Sequence, residues 1–157
     1  MRIEIWMIGK TAFPYLEEGC KEYLQRMQRF ADVQWVVIPD VKSSQQTDPE
    51  QLKQKESVVI LSKLRSDDHL ILLDENGKTF SSRNFATWIE QSQLKGIKKM
   101  VFLIGGAYGF DEKVYQRAQG KISLSAMTYS HQLIRLVFAE QLYRAFTIIK
   151  GLPYHHD

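Results

Sequence analysis

Two short runs constrain this chain more than any other feature. His69-Leu-Ile-Leu-Leu-Asp74 and Met100-Val-Phe-Leu-Ile104 are apolar at consecutive positions, without the alternation of a half-solvated strand. Runs this short read as strands covered on both faces, the pattern of a parallel sheet packed between helices. Each run ends in a turn signal: Asp74-Glu75-Asn76-Gly77-Lys78 after the first, Gly105-Gly106-Ala107-Tyr108-Gly109 after the second. In open α/β folds, ligands sit at the carboxyl ends of such strands.

The remaining segments alternate around these two. Arg2–Ile8 and Val33–Ile38 read as strands, the second closed by Pro39. Between them, apolar groups from Phe13 to Phe30 approximate helical spacing, with Glu17, Glu18, Lys21 and Glu22 on the solvated side. The polar stretch Asp40–Thr47 reads as a loop and a candidate mobile segment. Asp48-Pro49 opens a second helix, expected to run to about Leu64. Ser81 and Ser82 cap a third helix that ends at Gly96, and Asp111 caps a short fourth that ends at Gly120. Ile122–Ser125 is the fifth expected strand. A long helix is expected from about Ser130 to Ile149, stopped by Gly151 and Pro153. The expectation is an α/β fold with a mostly parallel five-stranded sheet flanked by helices, and one domain over residues 1–157.

Composition narrows the function classes. The apolar fraction of 44% supports a full core, and no apolar run approaches membrane length. The net charge of +3 is compatible with a nucleic-acid partner without specifying one. A single cysteine, Cys20, precludes a disulfide framework or a cysteine-based metal site. The start Met-Arg-Ile-Glu-Ile-Trp lacks the pattern of a secretory signal, so the expected location is the cytoplasm. His155 and His156 are adjacent in an extended tail and point in opposite directions, so no metal site is expected.

Three constellations carry chemistry. The turn Gly105–Gly109 does not have the spacing of a G-x-G-x-x-G fingerprint, and no Gly-Lys-Ser/Thr follows it. Dinucleotide-binding and P-loop enzymes are therefore disfavoured, and the turn is either a ligand site or a tight strand–helix connection. Ser123–His131 is rich in small hydroxyl residues. It suits either the adenine and ribose of a nucleoside or the cap of the following helix. In that helix His131 and Arg135 share a face at its start, while Glu140 and Arg144 are spaced to pair.

Taken together, Leu103-Ile-Gly-Gly-Ala-Tyr-Gly109, Leu124-Ser-Ala-Met-Thr128, His131-Gln-Leu-Ile-Arg135, Glu140-Gln-Leu-Tyr-Arg-Ala145 and Pro153-Tyr154-His155 resemble the ribosomal RNA large subunit methyltransferase H family. Gly9-Lys10, Glu22-Tyr23, Ile38-Pro39, Lys55-Glu56 and Leu73-Asp74 with Gly77-Lys78 extend the likeness along the whole chain. The resemblance implies a SPOUT-type fold with a C-terminal trefoil knot, a homodimer, and S-adenosylmethionine as methyl donor. It also implies methylation of N3 of a pseudouridine in 23S rRNA of the large ribosomal subunit. Leu73, Gly105, Leu124, Ser125, Ala126, Met127, Thr128 and Tyr129 would bind the donor; Arg135, Tyr154 and His155 would act in catalysis. Family members commonly end in Tyr-His-Arg or Tyr-His-Lys, whereas His156 stands here in place of the cation. A methyltransferase for another RNA position and a non-catalytic RNA-binding protein are the competing readings.

Overall fold

The computed structural model describes residues 1–42, 44 and 46–156. Its elements follow in the order β1 (Arg2–Ile8), α1 (Pro14–Met27), β2 (Val33–Ile38), α2 (Pro49–Lys63), β3 (His69–Thr79), α3 (Ser82–Leu94), β4 (Lys99–Ile104), α4 (Glu112–Arg117), β5 (Gly120–Ser123) and α5 (Leu133–Ile149). The five strands form one sheet in the order β2-β1-β4-β3-β5, and every pairing is parallel.

Strand alternation divides the core in two. Ile3, Ile5, Met7, Ile71, Met100, Phe102 and Ile104 face α1, α3 and α5, against Met27, Phe85, Ile89, Phe138 and Leu142. Trp6, Ile8, Leu70, Leu72, Val101 and Leu103 face the other way, against Ile60 of α2 and Val114 of α4. Both faces of β3 and β4 are thus covered, which is why their sequences show no polar alternation. The larger layer is centred on Phe102 and Phe138, both fully buried with ring centroids 4.8 Å apart. Burying one such ring stabilises the fold by about 1.5–3 kcal/mol.

Local signals explain the helix starts. Ser81 accepts from the Asn84 N–H at the start of α3, and Asp111 accepts from the Lys113 N–H at the start of α4. Pro49 opens α2 as expected, but Asp48 makes no side-chain capping bond. α5 begins at Leu133 rather than near Ser130, because residues 131–132 form a turn and the Ser130 hydroxyl accepts the Leu133 N–H. In the expected Asp40–Thr47 loop, the described residues are neither helix nor strand; Ser43 and Gln45, like Asp157, lie outside the described residues.

The largest departure from the expected elements is in β3. Asp74–Lys78 continues the strand instead of turning. The pairing with β5 shifts there: Ile122 is opposite Leu73 and again opposite Lys78. β5 correspondingly begins at Gly120, two residues before the expected start. The crossing is close. A Cβ at Gly77 would lie 2.6 Å from the backbone nitrogen of Ile122, so only glycine lets the two backbones pass.

Candidate active site

Three connections at the carboxyl ends of neighbouring strands meet on one side of the sheet. They are the end of β3, the glycine turn after β4, and the segment between β5 and α5. Together they enclose a cavity of about 660 Å³. Leu73, Ile104, Ile122, Leu124 and Ile134 give it an apolar floor, and residues 105–109 form one wall. The glycine turn closes on itself, with the Gly109 N–H donating to the Gly106 carbonyl at 3.3 Å. Gly109 takes a φ of +77°, a conformation that side chains disfavour. Gly105 has a packing reason as well, since a Cβ there would meet the Phe110 ring at 3.0 Å.

The opposite wall is the hydroxyl-rich loop. The Ser123 hydroxyl donates to the Ser125 carbonyl at 2.9 Å, and the Ser125 hydroxyl accepts the Met127 N–H at 2.9 Å. These bonds fix the loop with Met127 79% exposed at the cavity edge. Across from it stands β3. The Thr128 hydroxyl approaches the Glu75 carboxylate at 3.5 Å, and Tyr115 of α4 donates to Asp74 Oδ2 at 2.5 Å. Burial, then the hydrogen bond to Asp74, raises the Tyr115 hydroxyl well above the ordinary tyrosine value.

Carboxylates outnumber basic groups in the cavity lining. Among the described residues its lining includes the carboxylates of Asp74 and Glu75, neither lysine nor arginine, and His131 as its one basic side chain. A polyphosphate would meet two carboxylates and neither lysine nor arginine among the described lining residues. A cationic sulfonium on a nucleoside fits the same wall, and the volume falls within the range of roughly 300–1,000 Å³ common for small-ligand sites.

The sequence-assigned residues divide in this geometry. Leu73, Gly105, Leu124, Ser125, Met127, Thr128 and Tyr129 line the cavity, and Ala126 does not. Asp74, Glu75, Tyr108, Tyr115 and His131 line it too; Tyr108 and His131 fall within the two segments the sequence marked, whereas Asp74, Glu75 and Tyr115 had been given no part in a site. For Asp74 the signal was present: an acid terminates an apolar central strand.

Arg135, Tyr154 and His155 are not among the cavity residues. Arg135 is fully buried, and burial lowers its pKa. Its guanidinium donates to the Ile8 carbonyl at 2.7 Å, the Gly9 carbonyl at 3.0 Å, the Thr11 hydroxyl at 3.1 Å and the His131 carbonyl at 3.1 Å. It fastens the end of β1 to the start of α5. Tyr154 packs edge-on against Tyr143, bonds Glu140 at 3.0 Å and pairs with the Tyr23 hydroxyl at 3.3 Å. Burial is the first cause of its raised hydroxyl pKa. Arg144 bridges Glu140 at 2.5 Å and His155 Nδ1 at 3.2 Å. This network ties the tail to α1 and α5.

A second acidic pair stands behind the glycine turn. A Cβ at Gly106 would lie 3.3 Å from Glu56 Oε1, and Asp40 lies against Gly9. Burial, reinforced by Asp40, raises the Glu56 carboxyl above its ordinary value.

Likeness to known proteins extends along the whole chain. A family profile described as "Predicted SPOUT methyltransferase" matches residues 1–155. A protein named ribosomal RNA large subunit methyltransferase H from Christiangramia forsetii is 50% identical over 156 residues, covering 99% of each chain. Proteins of the same name from Flavobacterium johnsoniae and Parabacteroides distasonis are 49% and 46% identical over the full length of both chains. A match of this extent, over the segments that build both the sheet and the cavity, places the chain in a family: it belongs to the SPOUT methyltransferases.

Proposed function

We propose that this protein transfers a methyl group from S-adenosylmethionine to N3 of a pseudouridine in 23S rRNA of the large ribosomal subunit. The observation that carries the donor assignment is the cavity at the ends of β3, β4 and β5. It has an apolar floor and two carboxylates, and neither lysine nor arginine among its described lining residues. The rRNA assignment rests on the relatives' names, with their identity of 46–50% across the chain.

Leu73, Gly105 and the loop residues Leu124, Ser125, Met127, Thr128 and Tyr129 would hold the donor, with Ala126 acting through the loop's shape. The donor supplies an electrophilic methyl group on a positively charged sulfur. The protein's own task is to orient N3 of the base against that methyl and to let the N3 proton leave. Arg135 enters as a positioning residue, because its donors are directed at carbonyls of the protein and at Thr11. Tyr154 and His155 lie outside the cavity of their own chain, so we assign their catalytic part to a homodimer in which a second copy's tail completes the site. The reading carries two further elements: a cytoplasmic location and a C-terminal segment threaded as a trefoil knot.

The test is methyl transfer from labelled S-adenosylmethionine to large subunits or ribosomes from a strain lacking the gene, with the modified nucleotide mapped by mass spectrometry. N3-methylpseudouridine at one 23S position is the expected product. Label at another nucleotide would overturn the substrate assignment, and donor binding without transfer to any RNA would favour a non-catalytic role.

A further inference from the structure

Asp74 directly follows Leu73, the last residue of β3 before its pairing with β5 shifts, and it lines the cavity from there. Both of its carboxylate oxygens are engaged by the protein. Oδ1 accepts the Asn76 N–H at 2.8 Å, and Oδ2 accepts the Tyr115 hydroxyl at 2.5 Å. Tyr115 is itself held: its ring meets Phe110 edge-on at 5.8 Å, and the Lys121 ammonium lies 5.6 Å from the ring centroid. Each carboxylate oxygen can accept two hydrogen bonds, so these contacts fix the group's orientation and leave acceptor capacity for a ligand.

The neighbouring carboxylate differs. Glu75 is exposed, and water and salt screen it. Asp74 is only partly exposed, and a charge in that setting acts on a neighbour with less screening. The transfer itself changes the charge that this group faces. The bond from sulfur to methyl breaks as the bond from N3 to methyl forms, the N3 proton leaves to solvent or a base, and the sulfonium becomes a neutral thioether.

We propose that Asp74, held in place by Tyr115, is the residue by which this cavity distinguishes the positively charged methyl donor from its neutral-sulfur product. The inference rests on the donor assignment made above and adds a residue role to it. Its consequence is directional: the attraction that holds the donor ends with the transfer, so the spent product leaves more readily than an equally shaped cation would.

Calorimetry of S-adenosylmethionine and S-adenosylhomocysteine binding tests this without RNA or turnover. The wild-type protein is compared with Asp74→Asn and Tyr115→Phe. Asp74→Asn keeps the shape and removes the charge. It is expected to weaken donor binding about 5- to 20-fold while changing product binding less than about 2-fold. Tyr115→Phe keeps the charge and frees its orientation, so it shifts the same ratio less. Equal losses for both ligands, or an unchanged ratio, would overturn the proposal. If Asp74→Asn fails to give a cooperative melt, Tyr115→Phe alone decides, and an unchanged ratio in that variant counts against the proposal. Wild-type protein that binds neither ligand would instead remove the donor assignment, and this inference with it.

Discussion

Arg135 offers the sharpest test of how the site is held. Replacement by methionine keeps much of the side chain's length and apolar stem but removes the guanidinium. The Ile8 and Gly9 carbonyls then lose donors at 2.7 and 3.0 Å, and the Thr11 hydroxyl and His131 carbonyl lose weaker ones. Thr11 and His131 lie nearer solvent and can recruit water. Each buried acceptor left without a partner costs about 1–3 kcal/mol, or roughly 2–6 for the two carbonyls. Relief of burying a cation offsets part of that. The net expectation is a loss of about 2–4 kcal/mol, a large share of a typical domain's 5–15. For a domain of this size it corresponds to a melting temperature roughly 4–16 °C lower. Urea denaturation and thermal melts read it directly, and Arg135→Lys should fall between the two proteins. A methionine variant that melts within about 2 °C of wild type would refute the reasoning. If that variant also bound donor normally but failed to methylate, Arg135 would belong to the chemistry and not to the scaffold.

Three further outcomes follow from the same geometry. Gly77→Ala should cost at least about 1–3 kcal/mol and weaken donor binding, because the new methyl meets the Ile122 backbone nitrogen at 2.6 Å; wild-type stability in denaturation would contradict that crossing. Glu56→Gln should stabilise the protein increasingly as pH rises from below the ordinary carboxyl value of 4.5 toward neutrality. Its raised folded-state pKa means that wild type gives up stability over that window, and a pH-independent difference between the two melts would refute the cause. His155→Ala should lower methyl transfer to ribosomes at least about tenfold and leave donor affinity within about twofold, read by single-turnover transfer and calorimetry.

The strands were legible in the sequence where burial was two-sided. His69–Asp74 and Met100–Ile104 carry their packing in their composition, and β1 and β2 match their expected bounds. The continuation of β3 through Glu75-Asn76-Gly77 was not legible, because its pairing with β5 is made by backbone while the residue types spell a turn. The loop residues of the cavity were found through motif likeness, and physics alone left them as a helix cap or a nucleoside site. Within that segment the Ser130 hydroxyl accepts the Leu133 N–H at the start of α5, in keeping with the first of these readings. The partners of Arg135 were not legible in the sequence, for an identifiable reason. An arginine four residues after a histidine at a helix start suggests an anion site, and nothing local reveals that carbonyls at residues 8 and 9 take its donors.

That long reach has a consequence for synthesis. β1 is made before the other strands of the sheet, yet it lies between β2 and β4, and the carbonyl at its end is satisfied by a donor 127 residues later. At about 5–20 residues per second, the nascent strand waits on the order of ten seconds for that partner. During this interval Ile3, Ile5 and Met7 have no α5 to cover them. Covering of this sheet face therefore waits on a non-local contact, the kind that slows folding. A variant truncated before α5 should emerge as an aggregation-prone sheet fragment rather than a smaller folded protein.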